Sequence, residues 1–246
     1  MRAVYAIAKK ELRAYFLAPM AYVVIAAFLL LNGFLFSLIT TALSRPGATS
    51  TRPMALFFGG TLFFWIFIIV VVPVITMKLG AEESKTGTME TLLTAPVSDV
   101  EVVLGKYAGA MGLYVAAWIP TLLYVWMLKG YSAVDMGPVW SGYLGVLLVG
   151  LFFTAVGLFV SFASRNQLVA AMEGFAILLL LLLVSLLSFF VSAPLWKGIL
   201  EYLDLYSLVQ TFARGAVDTR GIVYTLSGAG FFLALSYQAL QARRLR

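Results

Sequence analysis

A chain of 246 residues that is 62% hydrophobic and 11% charged, with a mean hydropathy of +0.99, is far more apolar than a soluble domain. It contains no cysteine and no histidine, which excludes disulfides, thiolate or imidazole metal sites and His-based catalytic triads. The formal charge is +6, but no basic run interleaved with aromatics points to nucleic acid, and in a membrane protein positive charge is an orientation signal.

The first segment, "MRAVYAIAKKELRAYF", places Val4, Ile7, Ala8, Leu12, Tyr15 and Phe16 at helical spacing, with Arg2, Lys9 and Arg13 towards another face. This predicts an amphipathic helix over 1–17 along the inner membrane surface, with Lys9, Lys10, Glu11 and Arg13 as its charged interface. A basic topogenic flank accounts for the same charges. A cleavable signal peptide is not expected, because the apolar run follows a charged segment and is too long for an h-region.

A bilayer core needs about 20 apolar helical residues. Six stretches satisfy this: 20–41, 56–77, 106–128, 139–163, 168–192 and 222–241. Placing both termini in the cytoplasm puts eleven basic residues inside (Arg2, Lys9, Lys10, Arg13, Lys78, Lys85, Lys106, Arg165, Arg243, Arg244, Arg246) and six outside, so the bias favours N-in and C-in.

Between the second and third spans, "AEESKTGTMETLLTAPVSDVEVVLGKY" holds five of the eleven acidic residues: Glu82, Glu83, Glu90, Asp99 and Glu101. Lys78 to Ser84 can carry the helix on into water before Gly87 interrupts it. "TMETLLTA" then sets Met89, Leu92 and Leu93 on one side and Glu90 on another, until Pro96 stops the run. Ser98 followed by Glu101 is a capping-box pattern that starts the third span. An ordered loop over 78–105, with an apolar face and a charged rim, suits docking to another cytoplasmic protein; a solvated loop whose Met89 and Leu93 rest on the membrane is the plainer alternative. "GAEESKT" is not a phosphate-binding loop, because that motif needs glycine where Ser84 stands.

The fifth span carries a single charge, Glu173. An ionisable group at membrane depth normally faces protein or water, so Glu173 is a candidate for the transport pathway or a subunit interface. A glutamate near a helix N-terminus, snorkelling to water, is the alternative. Residues 193–221 are too polar to span, yet Leu195, Ile199 and Leu203 suit one short helix, and Leu208, Val209 and Phe212 a second. Gly215 can end that second helix, and Asp218 to Gly221 can form a turn.

The loop sequence quoted above, "SRNQLVAAMEGFA" and "FARGAVDTRGIVYTLSGAGFFLALSYQALQARR" together resemble ABC-2-type transporter permeases, in particular those associated with gliding motility. The resemblance implies an all-α integral membrane fold, a single domain over 1–246. It has six transmembrane helices, an N-terminal interface helix, a cytoplasmic coupling helix and a short extracytoplasmic helical hairpin at 193–221. It further implies an ATPase-coupling role for Glu82, Glu83, Lys85, Thr86, Gly87, Thr88, Met89, Glu90, Leu92 and Leu93. The chain would bind no cofactor itself; ATP and Mg would belong to a separate cytoplasmic ABC ATPase subunit. Further expected partners are a second permease copy or a homologous permease, an accessory membrane subunit with an extracytoplasmic domain, and the lipid bilayer of the cytoplasmic (inner) membrane. An ATP-independent secondary transporter or channel is the alternative, but it predicts midplane charges and an internal repeat that the sequence lacks. An intramembrane enzyme would need clustered acidic, His or Cys groups within a span, and none is present.

Overall fold

The computed structural model describes residues 2–44, 56–86, 97–130, 134–188, 191 and 194–244, and among these it is helical with no strand. In chain order the helices are α1 (Arg2–Leu17), α2 (Pro19–Leu43), α3 (Leu62–Thr76), α4 (Lys78–Thr86) and α5 (Asp99–Trp118). A 3-10 turn, Ile119–Thr121, leads into α6 (Leu122–Lys129), followed by α7 (Met136–Ala163), α8 (Gln167–Leu187), α9 (Pro194–Leu203), α10 (Leu205–Ala213) and α11 (Thr219–Arg244). Among the described residues, six stretches are long and apolar enough to cross a membrane: Pro19–Ala42, Leu62–Glu82, Asp99–Lys129, Met136–Ala163, Gln167–Leu187 and Thr219–Arg243.

The boundaries differ from the sequence expectation where local chemistry intervenes. The second span starts at Leu62 rather than 56, because the chain turns through Gly59 at φ +83°. The third begins seven residues early, at Asp99. There the Glu101 amide donates to Ser98 Oγ (3.3 Å) and the Ser98 amide donates back to Glu101 Oε2 (3.2 Å), the reciprocal cap expected from the sequence. The fifth ends at Leu187 rather than 192. The turn expected over Asp218–Gly221 is already helix from Thr219, since the Asp218 carboxylate accepts from the Arg220 amide (2.9 Å) and starts α11.

α7 is the axis of the bundle and packs against α3, α4, α5, α8, α10 and α11. Polar side chains within the spans donate to backbone carbonyls, which keep a spare lone pair inside a helix: Tyr107 to Leu151 (2.8 Å), Tyr114 to Val146 (3.0 Å) and Tyr124 to Leu29 (2.9 Å). Where no water can serve them, such bonds tie span to span.

Crossing six times brings both termini to one end of the bundle, and α9 and α10 lie at the other. α10 is wedged into that end, with Leu205, Val209, Phe212 and Ala213 fully buried. Asp204 caps it, accepting from the Ser207 amide (3.0 Å), Ser207 Oγ (2.6 Å) and, from the C-cap of α8, Ser188 Oγ (3.0 Å). Ser141 of α7 donates to the Phe212 carbonyl (2.6 Å). Gly215 ends the helix at φ +94°, a conformation that a side chain resists. α9 by contrast leaves Ile199 and Leu203, two of the residues whose spacing suggested this helix, exposed along with Trp196 and Tyr202.

Candidate functional site

The densest built chemistry lies at the end that carries the termini, and it starts from spacing. In "GKYAGAMG" the glycines Gly105, Gly109 and Gly112 fall four and three residues apart, on one face of α5. A Cβ at these positions would stand 2.6 Å from Ile7 Cβ, 2.6 Å from Glu11 Cβ and 2.8 Å from Leu12 Cδ1 respectively. The three glycines form a groove, and the apolar face of α1 lies in it.

Glu11, one of the residues of the expected interface helix, faces that groove. Its carboxylate meets Lys106 Nζ at 3.0 Å, with the two side chains 11% and 1% exposed. Two charges desolvated together are tolerable only as a pair, so this contact fixes the register of α1 on α5. One turn further on, the Tyr15 hydroxyl donates to the Ile75 carbonyl (2.6 Å) near the end of α3, and Lys78 Nζ stands 3.9 Å above the Tyr15 ring. Burial, then the charges of Glu11 and Glu82, hold the Tyr15 hydroxyl well above its ordinary pKa, so it stays a neutral donor. α1 thereby touches the base of α5 and the joint between α3 and α4.

That joint is clamped from the other side by α7. α3 ends at Thr76 and α4 restarts at Lys78, leaving the first amides of α4 without partners of their own. Ser161 Oγ accepts from the Gly80 amide (2.9 Å) and the Ala81 amide (3.3 Å), and donates to the Met77 carbonyl (2.9 Å). A serine on one helix thus caps another. A third tie gathers the remaining ends: Ser164 Oγ donates to Glu173 Oε2 (2.5 Å), while Arg243 Nη2 of α11 donates to the Ser164 carbonyl (2.7 Å).

Of the residues expected to meet a partner, Glu82 is exposed on α4, and Glu83, Lys85 and Thr86 belong to the same helix. Gly87, Thr88, Met89, Glu90, Leu92 and Leu93 lie outside the described residues, and with them the short amphipathic helix read at "TMETLLTA". Lys9, Lys10 and Arg13 are exposed; Glu11 is not. Within the interface helix Glu11 thus turns from the basic residues to a partner 95 positions away, which no local pattern shows. Glu173 sits in the second turn of α8, at the terminal end, and is exposed in the single chain. Sequence reasoning missed Tyr15, Ser161 and the Lys106 pairing; the glycine spacing of α5 was the available signal for the last. Among the described residues no group of three or more acidic side chains comes together as a metal ion requires.

Six apolar spans among the described residues, with α7 as their axis and the polar ties gathered at one end, define a multi-pass α-helical membrane protein. The family model described as ABC-2 family transporter protein matches residues 36–237, most of the chain. The chain belongs to the ABC-2 transporter family, as a membrane-embedded transport subunit. No curated protein matches it. The matched region starts within α2, so Lys106 and Ser161 lie inside it and α1 outside.

Proposed function

We propose that the chain is the permease of an ATP-driven exporter, worked by a separate cytoplasmic ABC ATPase that docks on the segment following Thr86. The observation that carries the reading is the anchoring of α4: Ser161 ties its first turn to α7, and Lys78 and Tyr15 tie it to α1. A push delivered past Thr86 would reach three helices through stiff contacts. Moving a two-state equilibrium from 1:99 to 99:1 takes about 5.5 kcal/mol of differential binding, which a slack loop cannot pass on. In this reading both termini are cytoplasmic, the membrane is the inner one, and ATP and Mg sit wholly in the ATPase. Met89, Leu92 and Leu93 give the docking face, with Glu82, Glu83, Lys85 and Glu90 around it and Gly87 and Thr88 at the bend. A second copy or a homologous permease completes the pathway, and Glu173 lines it or the interface between subunits. An accessory subunit with an outer domain, as the likeness to gliding-motility permeases implies, would meet α9.

The test is reconstitution with the ATPase in vesicles. Glu83→Lys and Glu90→Lys are expected to leave ATP hydrolysis running while transport falls, with the spans still folded. Unchanged coupling in both variants would refute the docking role, and unchanged transport and assembly in Glu173→Gln would remove Glu173 from the pathway.

A further inference from the structure

α1 holds five charges, Arg2, Lys9, Lys10, Glu11 and Arg13, and the fold separates them by sign. Glu11, the one acid, lies in the α5 groove against Lys106, while all four cations stay exposed. Three of the cations fall in one row: Arg2, Tyr5, Lys9, Arg13 and Leu17 stand three or four residues apart and share a face. Along it Lys9 Nζ lies 5.8 Å from the centre of the Tyr5 ring, and Tyr5 and Leu17 are themselves 68% and 85% exposed. Lys10 stands beside the row. The apolar face, which an interfacial helix ordinarily sinks into lipid, is taken by Gly105, Gly109 and Gly112. What α1 turns outward is therefore positive charge, set among one aromatic and one aliphatic side chain.

The place of the row decides what it meets. Gly105 to Gly112 lie about 9 to 20 Å along the third span from its start at Asp99, so α1 runs beside the bundle and not across its end. Beside a membrane span the surroundings are lipid. The extended backbone of Ala18 (φ −89°, ψ 138°) then turns the chain into α2, so the row ends where the first span begins. Cations with a tyrosine and a leucine between them suit the headgroup layer, where charged tips reach water and apolar bodies reach the acyl boundary. We infer that this row seats the headgroups of anionic phospholipids. Arg2, Lys9 and Arg13 meet the phosphates, with Lys10 alongside, and Tyr5 and Leu17 meet the acyl boundary. Each such cation near an anionic leaflet contributes about fivefold to binding. The inference rests on the chain being a membrane protein, and on neither the ATPase nor the cargo.

The test uses the whole chain, without an ATPase, reconstituted in phosphatidylcholine vesicles. Since the sequence has no cysteine, Ala14→Cys, exposed on α1 between Lys10 and Leu17, takes a single fluorophore. Leu30→Cys, exposed on α2, takes the control. A small fraction of phosphatidylglycerol or of phosphatidylcholine, each spin-labelled near the glycerol, is the quencher. At low salt the Ala14 probe should be quenched by about fivefold or more less phosphatidylglycerol than phosphatidylcholine, and the Leu30 probe equally by both. Salt at about 1 M, where the Debye length is about 3 Å, should shrink that preference. Lys9→Gln and Arg13→Gln should each lower it by up to about fivefold, and the two combined with Lys10→Gln should abolish it while the melting curve stays as it was. Equal quenching by the two lipids at Ala14, or a preference retained in the triple variant, would overturn the inference. Quenching by neither lipid would place α1 in water and overturn it as well, leaving the row to an acidic soluble partner.

Discussion

Glu11 and Lys106, 95 residues apart in the chain, form a 3.0 Å ion pair almost wholly shielded from solvent. Removing one partner strips a buried charge of this counter-charge, a loss of up to about 3–5 kcal/mol. Glu11→Gln and Lys106→Met should each lower the thermal stability of the solubilised protein strongly, and the double variant should cost far less than their sum. The exposed pair Lys197–Glu201, at 4.0 Å, is the internal control, and Lys197→Ala should shift stability by about 1 kcal/mol at most. Equal effects at the two pairs would mean that the buried one carries no special weight.

The glycine groove predicts a steric result. A methyl group at Gly109 would stand 2.6 Å from Glu11 Cβ, so Gly109→Ala must lift α1 off α5, at about 1–3 kcal/mol. With Leu12→Cys as a reporter, maleimide labelling should accelerate in the Gly109→Ala background. A labelling rate that stayed the same would show that α1 is held by something else.

Ser161 predicts an exchange pattern. Ser161→Ala leaves the Gly80 and Ala81 amides and the Met77 carbonyl without this partner, at about 1–3 kcal/mol. Hydrogen–deuterium exchange at Gly80 and Ala81 should quicken while α8 is unaffected. Protection retained at both amides would show that the cap is dispensable.

Two glycines should respond in opposite directions to the same change. Gly215 sits at φ +94°, so Gly215→Ala should destabilise by about 1–2 kcal/mol. Gly198 lies inside α9 with nothing within 4 Å of a Cβ, so Gly198→Ala should stabilise by about 0.5–1 kcal/mol. Melting curves of the two variants, side by side, decide it.

Tyr15 predicts alkaline sensitivity. Its folded pKa is raised above the ordinary value of 10.0, mainly by burial, with Glu11 and Glu82 adding to it. The contribution is therefore fully present below pH 10 and is lost as pH rises from there towards the folded pKa, because the unfolded chain gives up the proton first. Tyr15→Phe should lose about 1 kcal/mol at neutral pH, from the bond to Ile75, and show a flatter decline above pH 10. Parallel declines in the two proteins would assign the alkaline loss to other groups.

The spans were legible because a bilayer demands an unbroken apolar run, which composition alone reveals in "LFFWIFIIVVVPVIT" or "ILLLLLLVSLL". The Ser98–Glu101 cap and the stop at Gly215 were legible because each depends on residues three or fewer positions apart. The joint was not. Glu11 reads as one of five charges on a surface helix until the fold brings Lys106 beside it. Ser161 reads as an unremarked polar residue in an apolar span until the α3–α4 break presents it with two amides. Local rules see neighbours in sequence, and these contacts join residues roughly eighty to a hundred positions apart.

The seating of α1 on α5 also has a consequence for biosynthesis. When α1 leaves the ribosome, Gly105, Gly109 and Gly112 have not yet been translated, and at about 5–20 residues per second the wait is several seconds or more. During it Glu11 must stay hydrated, with α1 at the water boundary and the apolar face turned aside. Lys106 then arrives with its own charge to hide. Each residue cancels the other's barrier to burial, so α1, made before α5, can be finished only after the third span has entered the membrane.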